Sequence, residues 1–191
     1  MPEGAEPPID EISYAEFGER FFQHAVTEER ILGALSSLAG NEIEFGPIGA
    51  GPGRLAQVSA SGVVGTASAE RIDGDVVAFR LGIPVSLDLL IDLGVDQHNF
   101  QVDVTVGLTL TARAVDELRV VIDVDEPTWR DVTVKSQADG MRGAVLQRVA
   151  GIDREIGRFV ARYVAREIEK PHIKEARDID VAARIDRAWK A

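Results

Sequence analysis

The hydrophobic positions follow two different periods, and the points where the period changes divide the chain into elements. Phe17, Phe21, Ala25, Ile31, Leu35 and Leu38 fall on the three-and-four spacing of one helix face, with Glu28 at the intervening position. Ser13 to Glu16 has the form of a capping box, and Gly40 lies where the periodicity ends. Thr27 followed by Glu28 and Glu29 offers a second cap, so the spacing predicts a bend or break near Thr27.

Beyond Gly40 the period becomes two, starting at Ile43 and Phe45 and interrupted by a glycine-rich loop over 49–53. Ala56, Val58, Ala60, Gly62 and Val64 continue one face. The small residues there, with Gly62 and Gly65, predict a bulge or the close approach of another backbone. Asp73-Gly74 between Ile72 and Val76 predicts a two-residue hairpin.

The two longest alternations come next. From Val77 to Ile91 every odd position is apolar: Val77, Phe79, Leu81, Ile83, Val85, Leu87, Leu89 and Ile91. After a turn containing Gly94 and Asn99, the even positions from Phe100 to Ala112 repeat the pattern. Each run is about 14 residues, against a usual strand of about 5–6. Leu118, Val120, Ile122 and Val124, then Val132 and Val134, complete a meander of about five or six strands. The pattern predicts an antiparallel sheet with one wet face and one continuous aliphatic face.

So long an apolar face requires a cover. Helical spacing returns from Gly140 to about Glu169, where Val145, Val149, Ile152, Ile156, Phe159, Val160, Tyr163 and Ile168 form one stripe. At about 1.5 Å per residue such a helix spans about 40–45 Å, matching strands of similar length. Pro171 ends it. A last amphipathic piece with Ile179, Val181, Ile185 and Trp189 is expected to fold back or to bind a partner. The fold class is therefore α+β: a long-stranded curved antiparallel sheet packed on a long C-terminal helix, with an N-terminal helix. The organisation is a loose arm over 1–12, a single domain over 13–170 and a helical extension over 171–191.

Composition narrows the chemistry. The 191 residues include no cysteine, which removes disulfides, thiolate zinc sites and cysteine nucleophiles. The start of the chain is Pro-rich and acidic, without the cationic and apolar regions of a secretory signal, and no apolar run reaches membrane-spanning length, so a cytoplasmic protein is expected. A net charge of -11 argues against binding nucleic-acid backbones. The charge is uneven: residues 139–191 hold 12 basic against 9 acidic side chains, leaving 9 against 23 in the rest.

His24, His98 and His172 share no metal-ligand spacing, and the glycine-rich loop lacks both the lysine and the following helix of a phosphate loop. Asp123 with Asp125 and Asp178 with Asp180 are read as solvated turn or cap residues. No nucleophile, metal cluster or cofactor loop stands out, so a non-enzymatic role without metal or cofactor is expected. Trp129 and Trp189 are read as packing anchors. Arg154, Arg158, Arg162 and Arg166 recur at i, i+4, with Arg142 and Arg148 upstream, as one positive ridge. It is either the solvated flank of the helix or a contact for an anionic membrane surface or acidic partner.

The order of helix, long-stranded antiparallel meander and long helix resembles the tubular lipid-binding (TULIP) superfamily. The resemblance covers about Ser13 to Glu169 and rests on the strands Val77 to Ile91 and Phe100 to Ala112 and the helix Val145 to Ile168. It implies a highly curved sheet wrapped around a long helix with an apolar tunnel, and carries over no binding residue, because that superfamily has no short signature motif. A second resemblance is to the helix-grip fold of START proteins, which usually open with a strand rather than a helix. Both imply apolar-ligand carriers.

The resulting expectation is a carrier or sensor that holds a lipid or other extended apolar molecule between sheet and helix, lined by Phe79, Leu81, Leu87, Val104, Leu108, Ile152, Ile156 and Phe159. Few large aromatics are available to fill a wide aliphatic tube. The rival is a scaffold or assembly module that buries its apolar surplus against another chain, a homodimer included.

Overall fold

The structure is a computed structural model and describes residues 10–50, 53, 56–136 and 152–190. Helix α1 (Tyr14–Ala25) starts at Ser13, whose hydroxyl accepts the Glu16 amide at 3.2 Å. Only half of the capping box forms, because the Glu16 carboxylate turns outward to Arg20 at 2.6 Å. The break at Thr27 is present: its hydroxyl accepts the Arg30 amide and opens α2 (Glu28–Leu35). Buried Val26 marks the corner between them. A 3-10 turn over Ser36–Leu38 follows, and Gly40, at φ 85°, releases the chain toward the sheet.

Eight strands form one antiparallel sheet curled into a half-barrel: β1 (Glu42–Ala50), β2 (Ala56–Val64), β3 (Ser68–Ile72), β4 (Ala78–Asp92), β5 (Gln97–Val115), β6 (Arg119–Val124), β7 (Val132–Ser136) and β8 (Asp178–Asp180). The order is β1-β2-β4-β5-β6-β8. The short β3 pairs the same edge of β4 as β2, and β7 pairs the same edge of β5 as β6.

The β4–β5 pair is the spine. Its register runs without a slip from Ala78↔Thr111 to Asp92↔Gln97, so Phe79 faces Leu110, Leu81 faces Leu108, Val85 faces Val104 and Leu87 faces Val102. Paired residues of an antiparallel ladder project to the same side, which gathers the odd positions of β4 and the even positions of β5 into one face. Val85, Leu87, Leu89, Ile91, Val102 and Val104 are all buried there. The opposite face is wet, and polar cross-strand pairs hold it: Ser86 donates to Asp103 and Gln101 to Asp88, both at 3.2 Å.

Pro84 in mid-strand costs no ladder bond. Its carbonyl accepts the Gly65 amide at 2.7 Å, so its nitrogen points to that same edge, in the gap where β2 ends at Val64↔Val85 and β3 starts at Ser68↔Gly82. Gly62 answers the sequence signal with a close approach rather than a bulge. A Cβ there would sit 2.3 Å from the Ser86 carbonyl oxygen and 2.6 Å from Leu87 Cδ2. The irregularity of this hairpin lies instead in β1, where the register shifts between Phe45 and Ile48 around Gly46, at φ 103°.

The cover departs from expectation. The helix α3 (Ile152–Ile168) has 17 described residues, about 25 Å, and so spans roughly half of β4. Its expected first half, with Arg142, Val145, Arg148 and Val149, lies outside the described residues, as do 1–9 of the arm and most of the 51–55 loop. Ile156, Val160 and Ala161 form its buried stripe. Gly157 lets it settle on the 3-10 turn Trp129–Asp131, where a Cβ would meet the Trp129 carbonyl oxygen at 3.4 Å. That turn is fixed by a capping box between Thr128 and Asp131, whose hydrogen bonds hold the Asp131 carboxyl below the usual range.

Four smaller expectations also change. Asp73-Gly74 does not make a two-residue hairpin: five residues, 73–77, separate Ile72 from Ala78, and Gly74 lacks the positive φ a type I′ turn needs. Asn99 belongs to β5, the turn before it being held by Asp92 accepting the Gly94 amide at 2.7 Å. Leu118 is 65% exposed at φ 55°, a turn residue rather than a strand residue, because β5 runs on to Val115 and the hairpin needs a left-handed corner. The tail folds back: after α4 (Pro171–Ala176), Asp178–Asp180 joins the sheet as β8 beside β6, and Asp180 caps α5 (Val181–Trp189). With Trp189 86% exposed, it is not a packing anchor.

Gly62→Ala should lower stability by about 1–3 kcal/mol, because strand backbone cannot yield to the added methyl. Gly18→Ala in α1, where a Cβ meets nothing within 4 Å, should raise it by about 0.4–1 kcal/mol. Thermal unfolding followed by circular dichroism checks both, and equal effects would contradict the assigned β2–β4 packing.

Candidate functional site

The described part of α3 crosses only part of the apolar face, and other elements stand beside it over the sheet. A cavity of about 470 Å³ lies over the half of the β4–β5 spine nearer Ala78↔Thr111, within the usual range of about 300–1,000 Å³ for ligand pockets. Its floor includes Leu81, Ile83, Val85, Val106 and Leu108, which the ladder register sets side by side. One wall is the C-terminal half of α3, with Phe159, Tyr163, Val164 and Ile168. The other comes from α2 and β1, with Ile31, Leu35 and Ile43. Phe45 of β1 stacks on Phe159 at 4.0 Å between ring centroids, joining the two walls at one end.

Each wall follows from local sequence. The break at Thr27 tilts α2 so that Ile31 and Leu35, one turn apart, face the sheet. Glu28 fixes that tilt by accepting the Arg71 amide of β3 at 3.0 Å. Ile122 and Val124 of β6 and Ile179 of β8 complete the side opposite β1. A bidentate ion pair between Arg119 and Asp178 clamps β8 to β6 there, and it raises the arginine's pKa further above its ordinary value.

Polar groups are few and peripheral. Arg30, Asn41, Glu42 and Glu44 are exposed lining residues and mark where the cavity reaches the surface. Glu167 and Arg177 are half-buried at the far side. Glu167 is paired with Lys170 at 2.6 Å, whereas Arg177 has no ion pair among the described residues and its Nε has no hydrogen-bond acceptor.

Of the eight residues singled out in the sequence, Leu81, Leu108 and Phe159 line the cavity. Phe79, Leu87, Val104 and Ile156 are buried in the core and do not line it; Leu87, Val104 and Ile156 are among the most fully enclosed side chains. Ile152 opens α3, and its side chain is outside the described structure. Alternation identified the buried face, but not which part of it is hollow. Arg177 and the α2 wall were missed; the i, i+4 pair Ile31 and Leu35 was the available signal for the latter.

Arg154, Arg158, Arg162 and Arg166 lie exposed along α3. Arg158 pairs with Glu155 at 2.7 Å, and Arg154 lies 5.5 Å above the Trp129 ring, which Arg130 also approaches at 5.3 Å. Trp129 thus packs under two cations at the α3 contact. Arg162 and Arg166 have no partner among the described residues.

His24, His98 and His172 sit on three separate elements, and His98 contacts Asp96 at 3.3 Å. Among the described residues no group of three or more His, Asp or Glu converges on a metal-sized site. Asp123 meets Arg113 in an ion pair and Asp178 meets Arg119. No described helix is long and apolar enough to cross a membrane, which leaves strands unaddressed. No protein-family model matches the chain, and neither does any curated protein.

Proposed function

We propose that this protein is a non-enzymatic carrier or sensor that holds a lipid or other extended apolar molecule between its sheet and helices. One observation carries the reading: an aliphatic cavity of about 470 Å³ lies over a sheet face that is otherwise tightly packed. Protein interiors rarely leave such a volume empty, since every void forfeits dispersion contacts along its lining. The lining suits a hydrocarbon chain, with Leu81 and Leu108 as floor and Phe159 as wall. The buried Phe79, Leu87, Val104 and Ile156 act as the packed core around it. The resemblance in element order to tubular lipid-binding proteins points to the same class of ligand.

A second reading, an assembly module, is favoured by exposed apolar side chains away from the cavity: Tyr14 at 97% and Phe17 at 60% on α1, and Trp189 on α5. Native mass spectrometry of the purified protein separates the two. Co-purified lipid supports the carrier, and a ligand-free dimer supports the module.

The cavity also permits a volume test. Val164→Phe adds bulk to the cavity wall and should reduce uptake of a neutral hydrophobic dye such as Nile red at least about tenfold, with little loss of stability. Val104→Phe, in packed core, should instead destabilise by about 1–3 kcal/mol or more. Equal destabilisation by both, with dye binding retained, would remove the carrier reading.

The arginine ridge is the proposed contact for an anionic membrane surface or an acidic partner, because two of its four cations have no internal role. Replacing Arg154, Arg158, Arg162 and Arg166 together by Gln should leave the fold intact, costing about 1–2 kcal/mol through the Trp129 contact and one exposed ion pair. Sedimentation with phosphatidylserine vesicles should fall, most clearly at low salt. Unchanged sedimentation at every salt concentration would reduce the ridge to a solvated flank.

A further inference from the structure

We infer that the ligand of this cavity is an amphiphile whose polar end is a carboxylate, received by Arg177. The inference rests on the carrier reading and specifies the class of ligand. The Arg177 backbone ends α4, its carbonyl accepts the Ile122 amide of β6 at 2.8 Å, and its Nη2 donates to the carbonyl of Ile168, the last residue of α3, at 3.0 Å. Three elements therefore fix one guanidinium on the wall of an otherwise aliphatic cavity.

A guanidinium cannot shed its charge by releasing a proton, so a half-buried one calls for a counter-ion. The chain supplies carboxylates nearby but commits each to another cation: Glu167 to Lys170 at 2.6 Å, Glu169 to Lys174 at 2.6 Å, and Asp178 to Arg119. Glu169 is held below the usual carboxylate range chiefly by Lys174, and Arg177 adds only a minor long-range effect. Arg177 is left with one carbonyl acceptor, an Nε without any, and no ion pair among the described residues.

Leaving a partly desolvated cation this short of partners is unfavourable, and breaking such an arrangement open to a carboxylate allows charge-assisted hydrogen bonds. Arg30, the other arginine on the lining, lies exposed on α2 and donates to the Ala25 carbonyl at 3.0 Å, so it does not duplicate the site. A hydrocarbon chain over Leu81 and Leu108 with its acid group at Arg177 matches both the apolar floor and the unpaired charge.

The test uses the full chain, stripped of lipid, with palmitate, hexadecanol and methyl palmitate as competitors for Nile red at a pH where the fatty acid is ionised. Palmitate should displace the dye at about tenfold lower concentration than either neutral analogue, the ratio a charge-assisted hydrogen bond confers. Arg177→Met should erase that preference while leaving hexadecanol binding unchanged, and Arg177→Lys should restore part of it. Equal binding of acid and alcohol by the unmodified protein, or a preference that survives Arg177→Met, overturns the assignment of the head group while the carrier reading stands. Absence of binding by all three, and by the dye, overturns the carrier reading itself. The comparison of acid with alcohol needs no variant, so a misfolded Arg177→Met leaves the inference exposed to refutation.

Discussion

Everything else in this molecule depends on the uninterrupted pairing of β4 with β5. Fifteen residues of β4 meet β5 in a single register, and the two-residue period then commits both apolar sets to one side. A slip of one position anywhere would carry that whole set into water. The shorter strands β2, β3, β6 and β7 extend the spine in staggered pairs, and the offset of β2 from β3 lets Pro84 occupy mid-strand without an orphaned ladder position. The helices are arranged around this face, and the described part of α3 crosses only part of it.

The cavity is walled by several elements rather than by one. Beside the 17 described residues of α3, the elements α2, β1, β6 and the returning tail each contribute a wall. One pair of large rings, Phe45 stacked on Phe159, stands where two walls join. The floor itself is aliphatic. The space is thus a property of tertiary assembly, which no single element displays.

This explains what could be read from residues alone. The alternations at 77–91 and 100–112 located the spine and its buried face, since period two is a local signal that tertiary packing seldom overrides. Thr27 located the helix break for an equally local reason, a side chain able to cap. Hairpin geometry was less legible. Asp73-Gly74 has the composition of a tight turn, yet strand β3 pairs so that the connection takes five residues, and register belongs to the sheet rather than to the dipeptide. Leu81, Leu108 and Phe159 could not be distinguished from Phe79, Leu87 and Val104, because all share a face and only the cover decides which are left facing space. Arg177 was invisible for the same reason: its place on the wall is set by β8, a three-residue strand too short to carry a period.

The staggered sheet leaves several unpaired borders, and three of them are unsuited to recruiting a strand from another molecule. At one end β1 has its ladder interrupted between Phe45 and Ile48 and carries Pro47, which offers no amide to a newcomer, besides Glu42 and Glu44. At the other end β8 is three residues long, with an aspartate on either side of Ile179, and passes at once into α5. On β3 the Arg71 amide is already taken by Glu28. A curled sheet that keeps a greasy hollow on one side must avoid growing sideways into fibrils. Here the same glutamate that sets the tilt of α2 also blunts an edge, so tuning the mouth of the hollow and resisting aggregation are tied to one side chain.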